Sequence, residues 1–420
     1  MTVVTIILAI VVKGEGVITT VGYWGDGFWD LLEFTTQMAM ILAAGYVLTQ
    51  TPIVNNLLNK IVSNFKTPKM AIIVTTFVSS IGFLINWGFG LIIGGIIAQK
   101  FSTKIKNVHY PLIISAGFSG WAFYGLGLSG SVPLVISTPN HFLEDDIDII
   151  PLSETIFSTP MLLTTLALLI TLPFINALLH PKNSKEIIEI NISDFSDRET
   201  QEDEKVNTKN LSWASRLYHS KFVGIFTGLL GVFYLIIHFY KGGTLDINIV
   251  NFLMIFLGIL FMQRPSAYLN ALGAGIKLIT GIMLQYPFYA GIMGVLAASG
   301  LVFSFSDFFV AISSIETLPF WSLISGFIVN ILAPSGGGQW SVQGPIMVQA
   351  AHDIGTSIPK TAMGVQLGDA WNTVIQPFWL IPILALSKLS LKHVMGHLII
   401  ISVWVGVIFV TSFLLWGYVS

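Results

Sequence analysis

Ala333-Pro-Ser-Gly-Gly-Gly-Gln-Trp-Ser-Val-Gln-Gly-Pro345 lies between two apolar runs, Leu318–Leu332 and 346–351. Its two prolines and four glycines work against a helix, because proline removes a backbone donor and glycine carries a large entropy cost. Irregular backbone cannot face lipid. At membrane depth it is buried in protein or lines a wet cavity, since each N–H and C=O needs a partner. The stretch therefore predicts a row of free N–H groups, with Ser335, Gln339, Ser341 and Gln343 beside them, where a solute can meet them.

Composition supplies the membrane. The chain has 420 residues, 54% hydrophobic and 10% charged, with a mean hydropathy of +0.78; soluble domains carry about 25% charged residues. Apolar runs near the ~20 residues that cross a bilayer recur along it. This is an all-α polytopic membrane protein, with about nine full spans expected. It contains no cysteine, which excludes disulfides, thiolate metal sites and a cysteine nucleophile. The net charge of −2 sits mostly in loops, and no nucleic acid is expected among its partners.

In chain order, the run 2–12 is too short to span alone, so a partial first helix is expected, with no cleavable leader evident. Trp24-Gly-Asp-Gly-Phe-Trp29 suits a membrane interface. Residues 31–48 span, and 52–65 lie along the surface. The run 68–85 stops at Asn86-Trp87-Gly88-Phe89-Gly90. Its return arm, 91–98, is about 8 residues or roughly 12 Å of helix, too short to cross. A re-entrant hairpin with its tip at Asn86 follows. The next segment, 110–137, breaks at Gly125–Ser131, and 156–179 spans. A polar linker, 181–220, joins two halves. Then come spans at 222–240 and 247–262, a surface helix at 265–277, a span at 278–301 interrupted at Gln285-Tyr286-Pro287, and an amphipathic run at 303–316. A second hairpin occupies 318–352. A second broken helix, 359–387, is expected to break at Gly368-Asp-Ala-Trp-Asn372. The last span is 394–416.

The order of breaks repeats at an offset near 250 residues: hairpin 68–100 with 318–352, broken helix 110–137 with 359–387, and tip Asn86 with Ser335. The halves are 1–180 and 221–420, the second carrying an extra span. Lysines at 60, 66, 69, 100, 104 and 106 flank the first hairpin at both ends, whereas no Lys or Arg occurs between Lys277 and Lys360. By the positive-inside rule the first hairpin enters from the cytoplasm and the second from outside. Two inverted repeats, each with a re-entrant hairpin and a discontinuous helix, are a plan of secondary transporters.

Trp24-Gly-Asp-Gly-Phe-Trp, Ile85-Asn-Trp-Gly-Phe-Gly, Ser129-Gly-Ser-Val-Pro-Leu, Tyr286-Pro-Phe-Tyr-Ala-Gly, Pro334-Ser-Gly-Gly-Gly-Gln-Trp, Gln343-Gly-Pro and Gln376-Pro-Phe-Trp occur in that order. In these motifs the chain resembles the bacterial short-chain fatty acid transporter family, over nearly its whole length. The resemblance implies uptake of acetoacetate- or butyrate-like acids through the cytoplasmic membrane, paired hairpins and elevator-like movement. The departure is ahead of the first span, where the family carries more residues.

A short monocarboxylate needs N–H and O–H donors for its head and an apolar wall for its tail. Glycine-rich breaks expose donors at positive helix ends, which hold an anion without a full positive charge. The candidate donors are Asn86, Ser129, Ser131, Ser335, Gln339, Ser341 and Gln343, with Gly88, Gly130, Gly336, Gly337 and Gly338 beside them. Trp87, Tyr286, Phe288, Tyr289 and Trp340 are candidate walls. For Gly94-Gly95 close helix packing is the favoured reading. Asp369 is an acid placed inside a span, where charge is costly and marks an ion pathway. It either carries a proton or joins Asn372 and freed carbonyls around Na⁺; capping of the second half-helix is the competing role. No other cofactor or metal is expected, and a homodimer is left open. Two readings compete with transport. Gly127-Leu-Ser129-Gly130 resembles an intramembrane serine hydrolase pattern, but the histidines fall in loops or near helix ends. A passive anion channel fits two opposed hairpins less well than alternating access.

Overall fold

The computed structural model describes residues 1–191, 212–277, 279–332 and 334–418. Among them the regular elements are all helical. Residues 192–211 of the linker 181–220 lie outside the described residues, as does Ala333.

The first hairpin pairs Pro68–Ile85 with Trp87–Lys104. Thr67 caps the first arm by accepting the Met70 N–H, and Pro68 fills the first turn, where its missing N–H costs nothing. The turn is one residue. Asn86 is extended, and its Oδ1 accepts the Phe89 N–H at 2.9 Å, so it ends one helix and caps the next. The expected eight-residue return arm is corrected: the arm has 18 residues. Its glycines do not end the helix but let neighbours approach. A Cβ on Gly94 would lie 2.6 Å from the Gly117 carbonyl oxygen, which bears out the packing reading of that position. The tip ends inside the protein, where Asn86 is fully buried and donates to the Ile41 carbonyl of the helix Leu32–Thr49 at 2.9 Å.

The second hairpin pairs Leu318–Leu332 with Gly336–Ile354. Here the expectation of a long irregular stretch is corrected. The turn is confined to Pro334-Ser335, and Gly336 through Pro345 are helical. Packing offsets the poor helix propensity: Trp340 is fully buried, and Cβ atoms on Gly337 and Gly338 would collide with Phe34 and Tyr289. The row of free N–H groups shrinks to one helical turn, Gly336–Gly338, because the Gln339 N–H already bonds to the Ser335 carbonyl at 2.6 Å.

The first broken helix runs Tyr110–Phe118, continues as a 3₁₀ helix over Ser119–Leu126, and resumes at Ser131–Ile136. The second runs Ile358–Thr373 and resumes at Pro377–Ser387. The expected break at Gly368–Asn372 is corrected to 374–376. Gly364 and Gly368 let the helix lie directly on the hairpin arm Leu318–Leu332. Pro377 then forces the stop, because it lacks an N–H and restricts the residue before it. The expected interruption at Pro287 is likewise absent: the helix Thr280–Ala298 passes through it. Trp24–Trp29 falls in the helix Val17–Asp26 and the 3₁₀ turn Gly27–Trp29.

Among the described residues, by length and composition, five helices can cross a membrane, or seven if each of two bent pairs is one span, against the nine expected. The sharper bend, 78°, joins Met283–Ala298 to Leu301–Ile312. The two halves present surface helix, hairpin, broken helix and long helix in the same order.

Candidate functional site

All four discontinuities border one cavity. Trp87 comes from the tip of the first hairpin, and Ser335 and Gly336 from the tip of the second. Tyr124 and Ser131 flank the first helix break, Thr373 and Trp379 the second. Met38, Trp121, Tyr286 and Asp369 complete the wall. The walls enclose about 360 Å³ including space open to solvent, but leave only about 30 Å³ to water-sized occupants. That is roughly one or two waters.

Asp369 is 2% exposed and lies in the last turns of Ile358–Thr373. Four donors reach its carboxylate. The Tyr124 hydroxyl donates at 2.5 Å and the Asn330 amide donates to the other oxygen. The Gln366 amide and the Thr373 hydroxyl stand at 3.4 Å. The set comes from three elements: the first broken helix, the second hairpin and the second broken helix. The Val132 N–H, in the first turn of the resumed first broken helix, donates to Gln366 Oε1 at 2.8 Å and fixes that amide. Gly336 permits the convergence, since a Cβ there would strike the Tyr124 hydroxyl and lie 2.7 Å from Asp369 Oδ2. Among the described residues no Lys or Arg lines the cavity. Asp369 caps no helix: the second half-helix starts after Gln376, so the capping role is corrected. Its helix continues through Asn372 and ends at Thr373, where the Asn372 and Thr373 carbonyls accept from the Ile375 and Gln376 N–H groups at 2.9 and 3.2 Å. Asn372 Oδ1 instead accepts from Gln376 Nε2 at 3.4 Å.

Of the residues named from sequence, the cavity gathers Trp87, Ser131, Tyr286, Ser335, Gly336 and Asp369. Tyr286 and Ser335 share a hydroxyl hydrogen bond of 2.9 Å. The others stand off it. Gln339 donates to the Gly326 carbonyl and to Gln343 Oε1, each at 2.9 Å, and Gln343 donates to Ser325 at 2.8 Å. The two amides thus staple the arms of the second hairpin together. Ser341 bonds back to the Gly338 carbonyl at 2.8 Å, and Trp340 is buried against Gly344. Gly88 packs on Leu42, and Gly337 and Gly338 pack on Phe34 and Tyr289. Tyr289 neighbours Tyr286 at 5.8 Å without lining the cavity. Phe288 packs outside it, with Trp24 and Phe28. Gly130 precedes the resumed helix, and Ser129 Oγ is buried with no hydrogen-bond partner among the described residues, hence with no base.

A model of the short chain fatty acid transporter family matches residues 1–416. The chain belongs to the short-chain fatty acid transporter family. It is 35% identical over 411 residues to a provisionally named short-chain fatty acid transporter of Escherichia coli (strain K12), covering 98% of this chain and 93% of that protein. A relative of the same provisional name from Haemophilus influenzae (strain ATCC 51907 / DSM 11121 / KW20 / Rd) is 34% identical over 418 residues, with the same coverage of 98% and 93%. In fold the chain is similar to the Alcanivorax borkumensis YdaH transporter, with a TM-score of 0.56 at 11% identity over 94% of this chain and 87% of that one. It is also similar to Neisseria gonorrhoeae MtrF, of a class of antimetabolite efflux pumps, with a TM-score of 0.51 at 12% identity over 99% and 94%. The family is one of transporters, not enzymes, which removes the hydrolase reading of Ser129.

Sequence reasoning missed Tyr124, Asn330, Gln366, Thr373, Trp121 and Trp379. Asn330 carried a usable signal: it is an amide inside a largely apolar helix, the argument that singled out Asp369. Trp379 stood in the family motif Gln376-Pro-Phe-Trp without being named as a wall. Tyr124 carried no signal, because a tyrosine in an apolar helix is ordinary.

Proposed function

We propose that the protein carries short-chain monocarboxylates across the bacterial cytoplasmic membrane by alternating access, coupled to a cation through Asp369. One observation carries the reading: both hairpin tips and both helix breaks border a single cavity with a buried acid in its wall. The head of the acid is received by Ser335 and the positive N-terminal turn of Gly336–Ile354. An anion there meets Asp369, and two carboxylates at close range cannot both stay ionised. A cation must therefore accompany the acid. A proton is favoured over Na⁺, because Asp369 is the one acid lining the cavity among the described residues, and a lone buried carboxylate is neutralised more readily by a proton than by a metal ion that needs several further oxygen ligands. Room for one or two waters does not admit a four-carbon acid, so the walls must part for entry and release. An elevator-type displacement of hairpins and broken helices, with the halves in opposite senses, is the movement we infer.

Counterflow and net uptake of labelled butyrate in proteoliposomes test this reading. A pH gradient should drive accumulation by wild type toward about tenfold per pH unit. Asp369→Asn should retain exchange and lose accumulation. Accumulation by Asp369→Asn at the wild-type level would remove Asp369 from coupling. Accumulation driven by a Na⁺ gradient alone would replace the proton. A wild type that only equilibrates would be a passive anion pore.

A further inference from the structure

Three tryptophans from three elements meet in the cavity wall. Trp87 of the first hairpin stacks near Trp121 of the 3₁₀ segment, with ring centroids 5.9 Å apart. Trp379, just past the second break, stands 5.3 Å from each of them. All three line the cavity. The polar part of the wall is separate in kind: Ser131, Ser335, Tyr286, Asp369 and the first turn after Gly336. A wall with one polar and one indole portion orients an amphiphile, since the apolar tail gains only where water is displaced from apolar surface.

We propose, resting on the transport reading above, that Trp87, Trp121 and Trp379 form the acyl-tail subsite and that Trp379 sets the longest tail admitted. The three indoles are not equivalent. Trp87 and Trp121 are buried to 5% and 2% exposure, and Trp121 is also packed against Phe83 at 4.9 Å and Phe118 at 6.4 Å. Removing either strips packing from the first half. Trp379 is half-buried on Pro377–Ser387, an element that starts at a break and carries Pro382 inside it. It stands against both other indoles, 5.3 Å from each, and is the least buried of the three. Its removal enlarges the indole portion of the cavity without deleting any of the polar side chains in the wall.

The test is counterflow of labelled butyrate in proteoliposomes, with unlabelled straight-chain acids of two to eight carbons as competitors. Wild type, Trp379→Ala, Trp379→Leu and, as a control, Trp213→Ala are compared; Trp213 is 77% exposed and far from the site in sequence. Wild type and Trp213→Ala should share one optimum at short acids. Trp379→Ala should shift the optimum to longer acids, gaining about fourfold relative to butyrate for each methylene newly accommodated. Trp379→Leu should shift it less, in the same direction, and carries the test if the alanine variant does not fold. An unchanged profile in the folded variants overturns the subsite alone. A wild type that exchanges no monocarboxylate overturns the transport reading, and the subsite with it.

Discussion

Gln339 reads in the sequence as a free amide in a glycine-rich turn, and in the structure both ends of that amide are used. Asn330 donates to its Oε1 at 3.0 Å while its Nε2 serves Gly326 and Gln343. Buried amides are satisfied by whatever lies within 3 Å, and that is a property of the packed state. His109 makes the same point for a titratable group. It precedes the helix Tyr110–Phe118, and its Nδ1 accepts the Ile188 N–H at 3.1 Å. Burial, then the neighbouring His397 and His180, push its pKa down to about 4. The folded chain then binds fewer protons than the unfolded chain between pH ~6.5 and ~4, so the contribution of His109 to stability is full above that window and declines as pH falls through it. The melting temperature of the detergent-solubilised protein should therefore drop across that window, and His109→Gln, which cannot titrate, should flatten part of the drop. Superimposable profiles for the two proteins would show that His109 takes no part in the acid decline.

At the scale of the element, the hairpin tip is the unit that sequence reads well. A single extended Asn86 both stops Pro68–Ile85 and starts Trp87–Lys104. Its two side-chain bonds, to the Phe89 N–H and the Ile41 carbonyl, are worth about 1 kcal/mol each. Asn86→Ala should lose both, for a destabilisation of about 1–3 kcal/mol. Asn86→Ser, which retains a capping oxygen, should lose roughly half as much. Thermal unfolding of the purified variants measures this, and equal losses in the two would mean that the cap contributes nothing. Helix interiors were harder to read. Gly368 predicted a break and instead, with Gly364, seats one helix on another. A glycine that ends a helix and a glycine that lets two backbones meet look alike until the neighbour is known.

For the whole molecule the testable statement is sidedness. The surface helix Pro52–Asn64 touches the end of the return arm through Lys100 Nζ and Asn59 Oδ1 at 2.6 Å, so both ends of the first hairpin lie together. The acidic turn Glu144–Ile147 belongs, on the charge argument, to the opposite face. The chain contains no cysteine, so single replacements report cleanly. Ser63→Cys and Thr103→Cys, both exposed, should be labelled from the cytoplasm, and Asp145→Cys, also exposed, from outside. Labelling of Ser63→Cys and Thr103→Cys from opposite faces would refute the re-entrant hairpin and the inverted repeat together.

The sequence alone determined the membrane class, the order of the elements, the position of both tips and the singular place of Asp369. Each follows from a local or additive property: the apolar fraction of a window, a proline or capping residue at a helix start, a charge inside a span. Tertiary structure decided which glycines bend the chain and which sit in helices, moving one break to 374–376 and making Gly336–Pro345 helical. It also decided which polar groups face the cavity, Ser335 and Ser131, and which are consumed by each other, Gln339 and Gln343. The physical reason is one of magnitude. A glycine costs a helix about 1 kcal/mol, and burying one large side chain against a neighbouring helix returns about 1.5–3 kcal/mol. The outcome at each glycine therefore belongs to its neighbour, and the neighbour is fixed only when the chain has folded.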